Sequence, residues 1–214
     1  MKKPLAGIIN ISINNILSIK RALEFLGFKV VIIDEQQNIE KFNLIVLPGV
    51  GAFCEGMKKL RDTKIILSIE QALNKNKNFL GICLGMQLLF EESEEFGVTK
   101  GIGFFNGKVE NFNKYNVEKK TFIGWNRVKF EKKKMLIQEK YLKKDLQNST
   151  FYFVHSFFVK CKNKEIEVGT SLNGKLNFSS IVKKDNVIAF QFHPEKSGHS
   201  GLILLKNLVK NLLH

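Results

Sequence analysis

The sequence predicts an α/β fold: a mainly parallel central sheet flanked by helices, joined to a second, β-rich portion. Three observations carry this. Residues 5–92 alternate short runs that are apolar on both faces with stretches of helical periodicity, the pattern of parallel strands covered on both sides. Residues 104–190 form a succession of strand-like runs divided by polar turns. The chain then closes on a single amphipathic stretch at 200–213.

Each element has its own signal. Residues 5–11 are an apolar run of strand length. Ile16, Ile19, Ala22, Leu23 and Leu26 then recur at helical spacing until Gly27, a natural stop. A β-branched strand is expected over 29–33, and a buried one at Leu44-Ile45-Val46-Leu47, closed by Pro48-Gly49. One or two helices fit 55–76, with a break near Asp62-Thr63. Phe79-Leu80-Gly81-Ile82 is a further buried strand, and a helix is expected over 86–92. Strands are expected over 104–110, 121–130, 151–160, 165–171, 178–183 and 187–190, with Leu172-Asn173-Gly174-Lys175 as a hairpin turn. In the last helix Leu202, Leu205, Leu208, Val209 and Leu212 lie along one side. The Lys-rich stretch 114–144 reads as a loop or surface insertion within one domain spanning 1–214. A sheet of this kind carries its chemistry at the carboxyl ends of its strands.

Bulk properties narrow the class. No apolar run approaches the length of a membrane span. The N-terminus has two lysines followed by too few apolar residues for a signal peptide, so a cytoplasmic protein is expected. Cys54, Cys83 and Cys161 are odd in number and lack CxxC spacing, so neither a disulfide framework nor a metal site is expected, and no cofactor is implied. The net charge of +14 invites a nucleic-acid reading, yet among 34 basic residues only Arg21, Arg61 and Arg127 are arginines. Arginine is the residue that makes bidentate contacts to bases and phosphates. A solvated lysine-rich surface fits better, with neither nucleic acid nor membrane as partner.

The chemistry-bearing residues follow from position. Cys83 stands where a buried strand ends and a helix is about to begin, in Gly81-Ile82-Cys83-Leu84-Gly85-Met86-Gln87. A cysteine on such a turn exposes its sulfur at the strand end, beside free helix N–H groups that favour a thiolate. The flanking glycines permit the tight backbone of a nucleophile elbow. Taken alone, the pattern also suits a buried structural cysteine. A thiolate needs a base, and His193 follows an alternating strand with Glu195 two residues on, on the same side of an extended chain. A carboxylate there would fix the imidazole tautomer and support the imidazolium. His155, in Phe153-Val154-His155-Ser156, is the rival base. Acyl transfer also needs an oxyanion hole, and Leu47-Pro48-Gly49-Val50-Gly51 offers backbone N–H groups freed by glycines after a buried strand.

Five segments in this order, Pro48-Gly49-Val50-Gly51-Ala52-Phe53, the Cys83 elbow, Gly124-Trp125-Asn126, Tyr152-Phe153-Val154-His155-Ser156 and Gln191-Phe192-His193-Pro194-Glu195-Lys196-Ser197-Gly198, give the chain its resemblance. It resembles the glutaminase subunits of imidazole glycerol phosphate synthase, a family of class I glutamine amidotransferases, over nearly its whole length. The resemblance implies a flavodoxin-like class I amidotransferase fold and hydrolysis of L-glutamine through a Cys83–His193–Glu195 triad. It implies oxyanion-hole N–H groups at Val50 and Leu84, and glutamine contacts at Gly51, Gln87, His155 and Ser156. Asn15, Trp125 and Lys196 match positions that contact the synthase subunit, a (β/α)₈ barrel that receives the ammonia in a heterodimer. Two segments depart from the family. The Gly-rich turn usual after the first strand reads Asn10-Ile11-Ser12-Ile13-Asn14-Asn15, and the usual Pro-His-Met before Gly-Trp-Asn reads Thr121-Phe122-Ile123. Both departures touch the expected partner side. They leave open a related reading, in which the ammonia goes to amidino groups on surface sugars. A non-catalytic regulatory subunit on the same fold is opposed by the intact Cys83, His193 and Glu195.

Overall fold

A computed structural model describes residues 3–11, 16–131, 146 and 149–212. Its centre is an eight-stranded sheet in the order β2-β1-β3-β4-β14-β13-β12-β9. The strands β1 (Leu5–Ile9), β2 (Lys29–Ile33), β3 (Leu44–Gly49), β4 (Phe79–Cys83) and β14 (Val187–Phe190) run parallel. The strands β13 (Leu176–Lys184), β12 (Glu167–Asn173) and β9 (Lys129–Phe130) continue it antiparallel. Period-two alternation sends successive residues of each parallel strand to opposite faces. Ile8, Leu44, Val46, Leu80, Ile82, Ile188 and Phe190 enter one core with helices α1 (Ile16–Phe25) and α5 (Gly198–Leu212). Ile9, Ile45, Leu47, Phe79, Val187 and Ala189 enter the other, with α2 (Phe53–Asp62) and α3 (Ile65–Asn74). Burial on both faces is why these strands read as continuous apolar runs.

Between β4 and β14 the chain builds two smaller sheets. One pairs β8 (Phe122–Arg127) with β10 (Thr150–His155). The other has the order β11-β7-β5-β6, from β5 (Phe90–Ser93), β6 (Thr99–Lys100), β7 (Phe105–Asn111) and β11 (Phe157–Cys161). Phe112, Phe122, Phe151, Phe153, Phe158 and Phe178 join the α1/α5 core, so the β-rich portion shares that core with the parallel sheet. Among the described residues no helix is long and apolar enough to cross a membrane.

The break between α2 and α3 falls where the sequence places it, made by Lys64 in a left-handed conformation at φ 56°. The hairpin also forms, with Asn173 opposite Leu176 across a Gly174-Lys175 turn. Three segments differ from expectation. The helix expected over 86–92 is α4 (Leu84–Leu88), which stops so that Phe90–Ser93 can pair with β7 and β6. The run 121–130 splits into β8 and β9, and 151–160 splits into β10 and β11, each half in a different sheet. Apolar periodicity reports burial but not the partner strand, so a change of sheet within one apolar run leaves no mark. Residues 132–144 of the Lys-rich stretch, and Ser12 to Asn15, lie outside the described residues.

Close packing of α4 on β3 rests on Gly85. A Cβ placed there would fall on the Leu47 carbonyl oxygen. Gly85→Ala must push the elbow off the sheet, an overpacking cost of at least about 3 kcal/mol. At about 2–4 °C per kcal/mol for this chain length, thermal unfolding should drop by roughly 6–12 °C. An unchanged melting temperature would mean that α4 moves freely on β3.

Candidate active site

Cys83 is the last residue of β4 and immediately precedes α4. Its backbone sits at φ 54°, ψ −110°, a conformation that non-glycine residues adopt at a cost of about 1–3 kcal/mol and that concentrates at functional sites. Helix α4 is only five residues long, so its aid to a thiolate comes from the unpaired N–H groups of one turn rather than from a long dipole. Cys83 is nearly buried, yet it lines a cavity of about 520 Å³ at the carboxyl ends of the parallel strands. Its sulfur is 3.9 Å from the Val154 carbonyl and 3.9 Å from the Gln191 amide nitrogen.

β14 runs beside β4, in the register Ala189 opposite Gly81 and Phe190 opposite Ile82. The chain leaving β14 therefore reaches the sulfur. His193 and Glu195 have fully buried side chains, and His193 Nδ1 meets Glu195 Oε1 at 2.8 Å. The sequence expectation of an extended chain is corrected here. Pro194–Lys196 form a 3-10 turn, entered at Pro194, whose fixed φ suits a first helical position. The carboxylate folds back to the imidazole instead of projecting alongside it. Ser197 clamps this turn: its hydroxyl donates to the His193 carbonyl at 2.6 Å and accepts the Tyr152 N–H at 3.0 Å. His193 N–H also donates to the Tyr152 carbonyl at 2.9 Å, lacing the turn to β10. Burial opposes charge on His193, but the Cys83 thiolate and then Glu195 outweigh it and hold the ring well above the ordinary histidine value. A cysteine, a histidine and a carboxylate in series are the acid–base parts of acyl transfer.

His155 ends β10 and is a different kind of histidine. Its ring lies among Phe112, Phe122, Phe153 and Phe178. Its Nδ1 faces the Phe157 carbonyl at 2.8 Å. A carbonyl only accepts, so the proton sits on Nδ1 and Nε2 keeps a lone pair, buried without a hydrogen-bond partner.

Val50, Gly51, Leu84, Gln87, His155 and Ser156 all line the cavity with Cys83. Gly51 adopts φ 116°, a conformation open to glycine, directly after Val50. Gln87 gives its amide nitrogen to the Phe157 carbonyl at 2.9 Å and to Gln191 at 3.2 Å, leaving Oε1 as the atom it can offer a ligand. Ser156 Oγ lies 2.9 Å from Thr121 Oγ1. Trp125 is half exposed on β8, against Tyr152, and Lys196 is exposed on the turn after His193. Neither lines the cavity. Asn15 lies outside the described residues.

Sequence reasoning missed several neighbours. Glu95, Phe96, Asn111, Asn113 and Lys120 also line the cavity. The Glu95 carboxylate accepts the Phe53 N–H at 2.7 Å, tying the β5–β6 hairpin to the start of α2. Phe96 at the hairpin tip is largely exposed in a left-handed conformation at φ 55°. Two acidic residues beside a Phe-Gly pair, Glu94-Glu95-Phe96-Gly97, were the available signal, but nothing local directs that turn toward Cys83.

The two histidines have opposite pH signatures. Burial is the main reason that His155 is pushed down to about 4, helped by the facing charge of His193 and opposed by the Phe157 carbonyl. Unfolded histidine titrates near about 6.5, so between that value and 4 the unfolded chain binds a proton that the folded chain refuses. This stability is full above about pH 6.5 and is lost as pH falls toward 4. His193 is shifted upward, so its stabilisation is full below about pH 6.5 and is lost as pH rises through its raised value. His155 should therefore cost about 2 kcal/mol on going from pH 7 to pH 5. Urea midpoints at both pH values should show a smaller acid-side loss for His155→Gln than for the parent, and equal losses would contradict a neutral buried ring.

Comparison with known proteins places this geometry in a family. The class-I glutamine amidotransferase family model matches residues 8–211. A relative from Caldanaerobacter subterraneus, named imidazole glycerol phosphate synthase subunit HisH, is 39% identical over 94% of this chain and 95% of its own length. Another from Methanococcus maripaludis, named imidazole glycerol phosphate synthase subunit HisH 2, is 40% identical over 95% of this chain and 98% of its own. Among solved structures, a chain from the structure of PurLQS from Thermotoga maritima aligns with a TM-score of 0.79 at 20% identity, over 98% of this chain and 99% of that one, a likeness of fold. The family match, spanning nearly all of β1 to α5, decides the assignment: this chain belongs to the class-I glutamine amidotransferases.

Proposed function

We propose that the chain is the glutaminase subunit of imidazole glycerol phosphate synthase, a single cytoplasmic amidotransferase domain over 1–214 that supplies ammonia to a (β/α)₈-barrel partner in histidine biosynthesis. The observation that carries the chemistry is the buried His193–Glu195 pair set beside Cys83, at the ends of neighbouring parallel strands. The relatives named HisH support the pathway.

In this reading the Cys83 thiolate adds to the glutamine side-chain carbonyl carbon. The N–H groups of Val50 and Leu84 hold the resulting oxyanion. The His193 imidazolium protonates the leaving nitrogen, the C–N bond breaks, and ammonia departs from a glutamyl thioester. His193, now neutral, takes a proton from water as it attacks the thioester, releasing glutamate and restoring the thiolate–imidazolium pair. Glu195 fixes the Nδ1–H tautomer. Gly51, Gln87, His155 and Ser156 hold glutamine in the cavity. Trp125 and Lys196, both exposed, and Asn15 are the residues assigned to contact with the synthase. Delivery within a complex has a physical purpose, because ammonia released into water is largely protonated and no longer a nucleophile.

Removal of Cys83 should abolish glutamine turnover by several orders of magnitude, on the order of 10⁴–10⁶ as for other nucleophile deletions. The complex should still use added ammonium salts at raised pH. His193→Asn should lose nearly all turnover at saturating glutamine, whereas His155→Ala should raise KM and keep a measurable kcat. The reverse pattern for the two histidines would move the base to His155.

The isolated chain should be a poor glutaminase that wakes with its partner and acceptor bound. The gate is placed at Gly49-Val50-Gly51, where an oxyanion N–H turned away at rest would cost about 10²–10³ in rate. Differential affinity of the acceptor for the two states supplies the energy. Glutamate release is measured for the chain alone, with the barrel subunit, and with barrel plus acceptor. Full activity of the chain alone removes the gate. Activation only by a sugar-pathway barrel keeps the gate and moves the acceptor to amidino-sugar synthesis.

A further inference from the structure

Gln191, the residue after β14, is fully buried and lies outside the cavity lining. Burying a primary amide is unfavourable unless its groups are hydrogen-bonded, and an apolar side chain would fill the same space without that cost. The amide is held by a chain of bonds whose direction is fixed. The Phe157 carbonyl can only accept, so Gln87 must turn its nitrogen toward it, at 2.9 Å. The second hydrogen on that nitrogen points to Gln191 Oε1, at 3.2 Å. With its oxygen committed, Gln191 turns its own nitrogen toward the Cys83 sulfur, at 3.9 Å. Turning this donor away would break the Gln87 bond and set two oxygens or two N–H groups against each other. The Gln191 N–H donates to the Ser180 carbonyl at 2.9 Å, which extends the pairing of β14 and anchors the backbone as well.

We propose that Gln191 is a positioning donor for the Cys83 thiolate, held on target through Gln87 by the Phe157 carbonyl. Besides His193, the sulfur meets the Val154 carbonyl on β10, an acceptor that suits an S–H and repels a thiolate. An amide N–H on the sulfur offsets that repulsion and fixes where the charge sits relative to the cavity. N–H bonds to a charged acceptor strengthen relative to a neutral one, so the 3.9 Å contact gains weight when the proton leaves sulfur. This proposal rests on Cys83 as nucleophile.

The test is the pH dependence of Cys83 alkylation by iodoacetamide on the full chain, with the Cys83 peptide quantified by mass spectrometry. The parent, Gln191→Met and Gln191→Glu are compared. The titratable groups around the sulfur are His193, which carries Glu195 behind it on the turn after β14, and His155, Glu95 and Lys120, which line the cavity with Cys83, and all five are retained in every variant. Gln191→Met keeps length and bulk without the donor, and its alkylation midpoint should rise by about one pH unit. Gln191→Glu sets a like charge against the sulfur and should rise further. In the complex, kcat at neutral pH should fall about tenfold in Gln191→Met with little change in KM. A purely space-filling Gln191 would lower stability and leave the midpoint where it was. A parental midpoint in either variant that folds, judged by its near-UV circular dichroism, overturns the proposal. Should Gln191→Met not fold, Gln191→Leu, which also lacks the donor and carries no charge, decides it by the same midpoint. Retained glutaminase activity after complete alkylation of Cys83 would instead remove Cys83 as the nucleophile, a result distinct from an unshifted midpoint.

Discussion

The site depends on one backbone constraint, the turn at Cys83. A parallel strand that passes directly into a helix must reverse direction within a residue or two, and here Cys83 absorbs the change at φ 54°, ψ −110°. That conformation is unfavourable for a residue with a Cβ, and it is held by packing on both sides. Gly85 lets α4 press against the Leu47 carbonyl of β3, and Leu84, Met86, Leu88 and Leu89 are buried in the core on that side. Relaxing the turn would open this packing, so the core over-determines the cysteine.

Everything else at the site is brought to the sulfur by strand order. β14 lies beside β4, although about a hundred residues separate them in the chain, so the segment after β14 arrives at the elbow. Pro194 starts a tight turn that folds Glu195 onto His193, and Ser197 ties that turn to Tyr152 on β10. β10 in turn places Val154 and His155 at the cavity. Three sheets thus meet at one sulfur, and the phenylalanine-rich core shared by β8, β10 and β13 holds them in register.

Two buried histidines that feel each other's charge end in opposite charge states, for a simple reason. His193 has a carboxylate and a thiolate to balance its charge, and His155 has four aromatic rings and one carbonyl. Desolvation acts on both, and the partner set decides which ring holds a proton. A cationic ring can serve acid–base chemistry, while a neutral ring that lines the cavity can serve recognition.

The sequence by itself determined the elements whose signals are local. Apolar runs marked β1, β3 and β4 because both faces of a parallel sheet are buried, and Gly174 marked the β12–β13 turn because a two-residue hairpin needs φ above zero there. Cys83, His193 and Glu195 were legible because each sits at a strand end or within a short motif. The tertiary structure alone decided the rest. It cut α4 to five residues so that Phe90–Ser93 could pair with β7, and it sent the two halves of 121–130 and of 151–160 to different sheets. It also brought Glu95 to Phe53, Ser197 to Tyr152 and Gln191 to Cys83, across 42, 45 and 108 residues of chain. A glutamine or serine in a sequence carries no sign of what it will meet. Its hydrogen-bond partner is chosen by strand order and register, which are properties of the folded sheet and not of any single segment.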